Sequence, residues 1–163
     1  MAITLNNIGI VYVNLNEYKK ALDHYKRSLN IKEDLGVDKR GIAYTLNNIG
    51  NCYYDMKLYD EAYNYYQRSW KIKTELGDKS GIATSLNNIA LVYKAKGDFN
   101  KALDYSFKSL SIKEAIGQKK GIAISLNNIG LIHFEQAQYI KAIEFGLKSL
   151  KLSRKIGAIT ETK

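Results

Sequence analysis

The chain has 163 residues, 45% of them hydrophobic and 25% charged, which suits one ordinary globular domain. It has no proline, so nothing forbids a nearly all-helical chain, and its formal charge of +9 brings nucleic acid or an acidic protein surface into view as partners. The single cysteine, Cys52, excludes an internal disulfide and a cysteine metal cluster and fits a reducing, cytoplasmic setting; no apolar run is long enough to span a membrane, and MAITLNNIG lacks the basic start and apolar core of a signal peptide.

The first predicted helix covers 2–14 and carries TLNNIG at 4–9; a second covers 17–35 and is followed by Gly36. The same order then recurs. Helices over 42–56 and 58–76 carry TLNNIG at 45–50 and end at Gly77; helices over 82–95 and 98–116 carry SLNNIA at 85–90 and end at Gly117. Helices over 122–136 and 138–156 carry SLNNIG at 125–130 and end at Gly157. Apolar residues fall mostly at steps of three and four, as in Leu46, Ile49, Tyr53 and Met56, then Tyr59, Ala62, Tyr66 and Trp70, so both halves are amphipathic. A glycine after each second helix suits the left-handed residue that closes a helix. The repeats cover 2–41, 42–81, 82–121 and 122–157, at steps of 41, 40 and 40 residues between Asn7, Asn48, Asn88 and Asn128. The odd step is assigned to one inserted residue, Val37.

These positions resemble the tetratricopeptide repeat. Its signature residues fall at Leu5, Ile8, Gly9, Tyr12, Ala21, Tyr25 and Ser28 in the first repeat, and at Leu46, Ile49, Gly50, Tyr53, Ala62, Tyr66 and Ser69 in the second. The third gives Leu86, Ile89, Ala90, Tyr93, Ala102, Ser106 and Ser109; the fourth gives Leu126, Ile129, Gly130, His133, Ala142, Gly146 and Ser149. Small residues let paired helices approach and bulky ones fill the gaps. The usual repeat is about 34 residues long. The 40-residue spacing here looks like the longer LNNIG subclass of sensor kinases, kinesin light chains and spindle-orientation adaptors. The resemblance implies an all-α right-handed solenoid of four helix-turn-helix repeats, eight antiparallel helices in a single domain over 1–163. Ser106 and Gly146 depart from the family's aromatic, so packing there must differ.

In that family the first helices line a concave groove. By register, the first asparagines Asn6, Asn47, Asn87 and Asn127 and the second asparagines Asn7, Asn48, Asn88 and Asn128 reach it, followed by Ile10, Asn51, Leu91 and Leu131, then Val13, Tyr54, Lys94 and Phe134. An amide side chain offers one acceptor and two donors, which matches a peptide bond. First helices spaced roughly 10 Å apart would grip an extended peptide, which advances about 3.3 Å per residue, at about every third residue. Either asparagine of a pair could instead bond from repeat to repeat, and both readings are kept. Tyr54, Lys94 and Phe134 differ between repeats and would set selectivity, with Asn51 a further peptide-binding candidate. A clamp for a free carboxylate is not expected, because only Lys94 is basic there.

His133 reads as a half-buried packing residue, Cys52 as a small core residue and Trp70, aligned with Leu29, Leu110 and Leu150, as core too, and His24 lacks the neighbours of a metal site. No metal, cofactor or catalytic set is expected. Arg27, Lys108 and Lys148 stand four residues after Asp23, Asp104 and Glu144, the favourable surface order, while Arg68 follows Asn64. Lys39, Arg40, Lys79, Lys119 and Lys120 are placed in connectors, where a nucleic-acid reading of the charge would put its phosphate contacts. The last helix is unusually apolar, and Tyr139, Ile140, Phe145 and Leu147 are candidate interface residues. Arrays of this kind generally need caps. None is evident, so the chain reads as a fragment of a larger array, with homo-oligomers through the ends as a side effect. The function expected is a protein-interaction module that binds a peptide or helix as the scaffold of a larger signalling protein. The alternatives are self-assembly through the ends and, less favoured, nucleic-acid binding.

Overall fold

Left-handed glycines punctuate the chain where short connectors must reverse it. Gly36 (φ 63°) caps α2 (Tyr18–Leu35), which follows α1 (Ala2–Asn14). Gly77 (φ 63°) follows α4 (Tyr59–Glu75), which pairs with α3 (Lys39–Asp55). Gly117 (φ 67°) follows α6 (Phe99–Ala115), the partner of α5 (Lys79–Ala95). The last pair is α7 (Lys119–Glu135) and α8 (Tyr139–Glu161). The computed structural model describes residues 1–36 and 38–161, with side chains to 157. These residues form eight helices and no strand; Val37, and with it the inserted-residue reading, lies outside them.

Gly157 is not a stop. It lies inside α8, which continues past the expected end at 156. An interior glycine costs only about 1 kcal/mol relative to alanine, too little to end a helix where no connector turns the chain back. The first helices α3, α5 and α7 also begin three residues before their expected starts. In α3 the reason is visible: Asp38 caps the helix by accepting from the Gly41 amide at 2.8 Å. Lys39, Arg40, Lys79, Lys119 and Lys120 therefore sit in the first turns of these helices rather than in connectors. The helix dipole does not favour cations there.

The chain divides into two compact units, Met1–Asp78 with α1 to α4 and Lys79–Lys163 with α5 to α8. In the first, α1 packs on α2, α2 on α3 and α3 on α4; in the second, the same order runs from α5 to α8. The core of the first unit joins Leu22, Tyr25 and Leu29 of α2 to Ile42, Leu46, Ile49 and Cys52 of α3. Burial pushes the Cys52 thiol up to about 12, with the nearby Asp55 carboxylate adding to the shift. Trp70 is only half-buried, a correction to its core assignment: the large indole lies at a surface hollow with Gln67, Lys71 and Thr74.

Each helix pair is locked by the same two devices. A serine of the second helix donates to a carbonyl at the start of the first: Ser28 to Ala2 O at 2.7 Å, Ser69 to Ala43 O at 2.8 Å, Ser109 to Ala83 O at 2.7 Å and Ser149 to Ala123 O at 2.8 Å. A ring of the first helix also stacks on a ring of the second: Tyr12 on His24, Tyr53 on Tyr65, Tyr93 on Tyr105 and His133 on Phe145, all with centroids 5.3–5.5 Å apart. His133 is buried in this packing role, and its Nδ1 lies 3.0 Å from Gln138 Oε1.

Successive repeats within a unit are joined by a buried lysine. Lys32 donates to Gly41 O at 3.1 Å and to the Thr45 hydroxyl at 2.9 Å. Lys113 donates to the Ser125 hydroxyl at 2.8 Å. Burial lowers both ammonium groups, and Lys113 falls to about 8. Where a first helix turns into its partner, one residue is left-handed: Asn16, Lys57, Gly97 and Ala137, with φ between 57° and 79°.

Candidate functional site

The asparagine pairs lie within α1, α3, α5 and α7, and their position follows from the same register that buries Leu46 and Ile49. Among the first asparagines, Asn6 Oδ1 lies 3.3 Å from the Thr45 hydroxyl of the following repeat. In the second unit, Asn128 Nδ2 donates to Asn87 Oδ1 at 3.0 Å, joining the second asparagine of one repeat to the first asparagine of the repeat before. Asn7, Asn48 and Asn127 make no side-chain hydrogen bond among the described residues. Asn47 and Asn88 are half-buried and have bonding partners of their own. Each unit thus holds bonded amides beside unbonded ones on the same helices.

The positions further along vary as the sequence suggests. Asn51 is exposed, and its Oδ1 accepts from the Tyr66 hydroxyl at 2.8 Å. Tyr54 packs on Tyr59 with ring centroids 5.6 Å apart, and burial raises its phenol above the usual range. Lys94 is half-buried near the end of α5. Phe134 is 58% exposed and meets Tyr139 edge-on at 5.7 Å. Of the candidate interface residues, Ile140 is 85% exposed and Tyr139 and Leu147 are open to solvent, whereas Phe145 is half-buried between His133 and Phe107.

Sequence reasoning missed a cleft of about 340 Å³ between α7 and α8, which brings Asn127, Phe134 and Tyr139 together with Gly130 and Gly146. The departure at Gly146 was its signal. The paired surface charges match their spacing. Arg27 meets Asp23 at 3.5 Å, and Lys108–Asp104 and Lys148–Glu144 meet at 2.6 Å, while Arg68, with asparagine four residues before it, turns to Glu33 at 3.0 Å. All are exposed, and such pairs contribute little stability. Among the described residues no cluster of three His, Cys, Asp or Glu side chains could hold a metal ion, and no helix is long and apolar enough to cross a membrane.

Comparisons with known proteins agree with this architecture. Solved structures align over nearly all of the chain at low identity. BtubC from P. vanneervenii matches with a TM-score of 0.85 at 17% identity, over 96% of this chain and 64% of its own. Aspartyl phosphate phosphatase F from Bacillus subtilis gives 0.89 at 17%, over 96% of this chain and 41% of its own. A Rap protein complexed with competence and sporulation factor gives 0.83 at 18%, over 98% and 45%. The chain thus spans less than two thirds of each of these proteins. No curated protein matches it by sequence. Tetratricopeptide-repeat profiles match residues 2–35, 41–115 and 82–155. With four helix pairs closed by the same serine bond and the same ring stack, the chain belongs to the tetratricopeptide repeat family.

Proposed function

We propose that this chain is a peptide-binding interaction module, non-catalytic itself, that serves as a scaffold within a larger signalling protein. The observation that carries the reading is the asparagine pair repeated on four first helices, with Asn7, Asn48 and Asn127 making no side-chain hydrogen bond among the described residues. Asparagine is a mediocre helix former, so a mid-helix amide without a partner has no local reason to be there. Its acceptor and two donors suit a peptide bond. Of the first asparagines, Asn6 and Asn87 join repeats, while the unbonded Asn127 and the second asparagines Asn7, Asn48, Asn88 and Asn128 hold the ligand backbone. Asn128 gives one donor to Asn87 and keeps its acceptor for that purpose. Asn51, Tyr54, Lys94 and Phe134 read the ligand's side chains. One similarly folded protein, the Rap protein, has been solved in complex with competence and sporulation factor, which is in keeping with this use of the fold.

The test is selection of a random peptide display library on the chain and on an Asn48→Ala, Asn88→Ala variant. Peptides retained by the parent alone support the reading. Equal retention by both, or by neither, overturns it. The exposed face of α8 favours a second reading, self-association: Ile143 and Leu150 hold the places that Leu22 and Leu29 fill in the first unit, where both are buried against α3. Concentration-dependent sedimentation that Leu150→Lys abolishes would support that reading.

A further inference from the structure

One pair of positions changes its filling from repeat to repeat. In the first repeat Tyr25 lies on Gly9 so closely that a Cβ there would fall 2.5 Å from the ring. In the second repeat Tyr66 lies on Gly50 in the same way, at 2.6 Å. Both rings are buried. In the third repeat the ring is gone and its partner has gained a methyl: Ser106 faces Ala90, both buried. The fourth repeat has neither filling. Gly130 is buried, where a Cβ would lie 3.2 Å from Ala142 O and 3.4 Å from Phe145 Cβ, yet no ring covers it: Gly146 supplies none, and a Cβ built on Gly146 meets nothing within 4 Å.

What remains is the cleft of about 340 Å³ between α7 and α8, within the range of about 300–1,000 Å³ typical of ligand pockets. Leu131, Phe134, Tyr139, Ala142 and Ile143 line it beside the two glycines. Its one polar side chain besides the Tyr139 hydroxyl is Asn127, which is exposed and makes no side-chain hydrogen bond among the described residues. We infer that this cleft is a socket for an aromatic side chain of the bound peptide, which takes the place that Tyr25 and Tyr66 fill from within. Phe134 and Tyr139, already edge-to-face, offer the incoming ring the same geometry. In the second repeat Asn51 accepts from the Tyr66 hydroxyl, but Leu131 stands at the corresponding place in the fourth. The socket therefore takes an apolar ring, phenylalanine before tyrosine. The inference deepens the peptide-binding reading, since the ring must come from the partner.

The experiment titrates toluene and p-cresol, the side chains of phenylalanine and tyrosine, into the full chain and follows backbone amides by NMR. Toluene should shift the Gly130 and Gly146 amides, with p-cresol binding more weakly. Gly146→Tyr should fill the cleft from within, raise the melting temperature and abolish the toluene response. Leu131→Asn restores the acceptor and should tighten p-cresol about threefold to tenfold, as one hydrogen bond would; this second variant carries the test if Gly146→Tyr does not fold. Shifts absent from these glycines, or unchanged in Gly146→Tyr, overturn the socket, as does a p-cresol affinity unmoved by Leu131→Asn. Toluene binding at Gly130 together with failed peptide selection would keep the socket and sink the backbone-holding role of the asparagines. Peptides retained without aromatic residues, and equally by Gly146→Tyr, would do the reverse.

Discussion

Replacing Gly50 by alanine should reverse its effect according to what stands at position 66. In the native chain the added Cβ would lie 2.6 Å from Tyr66 Cε1 and 2.7 Å from Cδ1, roughly 1 Å inside the 3.5–4.0 Å of an ordinary carbon contact. The ring has little room to move, being 3% exposed and tied by its hydroxyl to Asn51 at 2.8 Å. Overpacking of this kind costs about 1–3 kcal/mol, and a pinned ring places it in the upper part of that range. Alanine returns up to about 1 kcal/mol through helix propensity, so Gly50→Ala alone should lose about 1–2 kcal/mol. In a Tyr66→Ser background the clash is gone and the propensity remains, so the same change should gain about 0.5–1 kcal/mol. The coupling in the double-mutant cycle is then about 2 kcal/mol. Urea unfolding is followed by circular dichroism and by fluorescence of Trp70, the chain's single tryptophan, on the same helix pair. Tyr66→Ser leaves a large cavity, so the reciprocal cycle provides a control: Ser106→Tyr should destabilise opposite Ala90 and be rescued by Ala90→Gly. If either cycle adds within about 0.5 kcal/mol, the ring-on-glycine account is wrong.

Lys113 should make stability rise with pH. Its ammonium, lowered by burial to about 8, binds fewer protons in the folded chain than in the unfolded one between pH 8 and 10.5, so the penalty present below that window is lifted across it. After allowance for partial solvation this is worth about 1–2 kcal/mol. The gain in stability between pH 8 and 10.5 should be smaller in Lys113→Met by that amount, and equal gains in chemical denaturation would refute it. Lys57→Gly should raise stability by about 0.5–1 kcal/mol, because φ is 60° there and Gly97 already serves the same turn in the third repeat; an unchanged or lower melting temperature refutes it. Cys52, buried and with its thiol pushed up to about 12, should resist a thiol-specific disulfide reagent at pH 8 until urea opens the chain. Prompt labelling of the native protein would show the burial to be wrong.

The sequence made the repeat legible because its determinants are local and recur four times. A glycine that must be left-handed, an alanine at a close crossing and apolar steps of three and four each carry their meaning within one helix pair. The asparagine rows were legible as positions for the same reason. What was hidden depends on a neighbour. Lys32 reads as a solvated lysine until Thr45 and Gly41 of the next repeat surround it. The early start of α3 depends on its cap, Asp38, which accepts from the Gly41 amide three residues on. Trp70 aligns with leucines yet is too large to be swallowed whole. Gly157 looks like Gly36, but its conformation depends on whether a connector turns the chain. The cleft at Gly146 needed the structure, because an omission in sequence becomes a space only when nothing else moves in to close it.

The buried lysines give the array a direction. Lys32 and Lys113 project from the tail of one repeat into a hydroxyl at the head of the next, Thr45 or Ser125. Plug and socket are chemically unlike, so repeats can join through them in one order only. Thr4 holds the socket position at the head of the first repeat, whereas Ser153 stands where the fourth repeat would carry its plug. A second copy docking head to tail would meet a hydroxyl facing a hydroxyl, without the ammonium that organises the joints within each unit. Any assembly at the α8 face must therefore do without that lysine joint, and the hollow where Ser153 stands offers a partner a different set of groups, Lys120 and Asn127 among them.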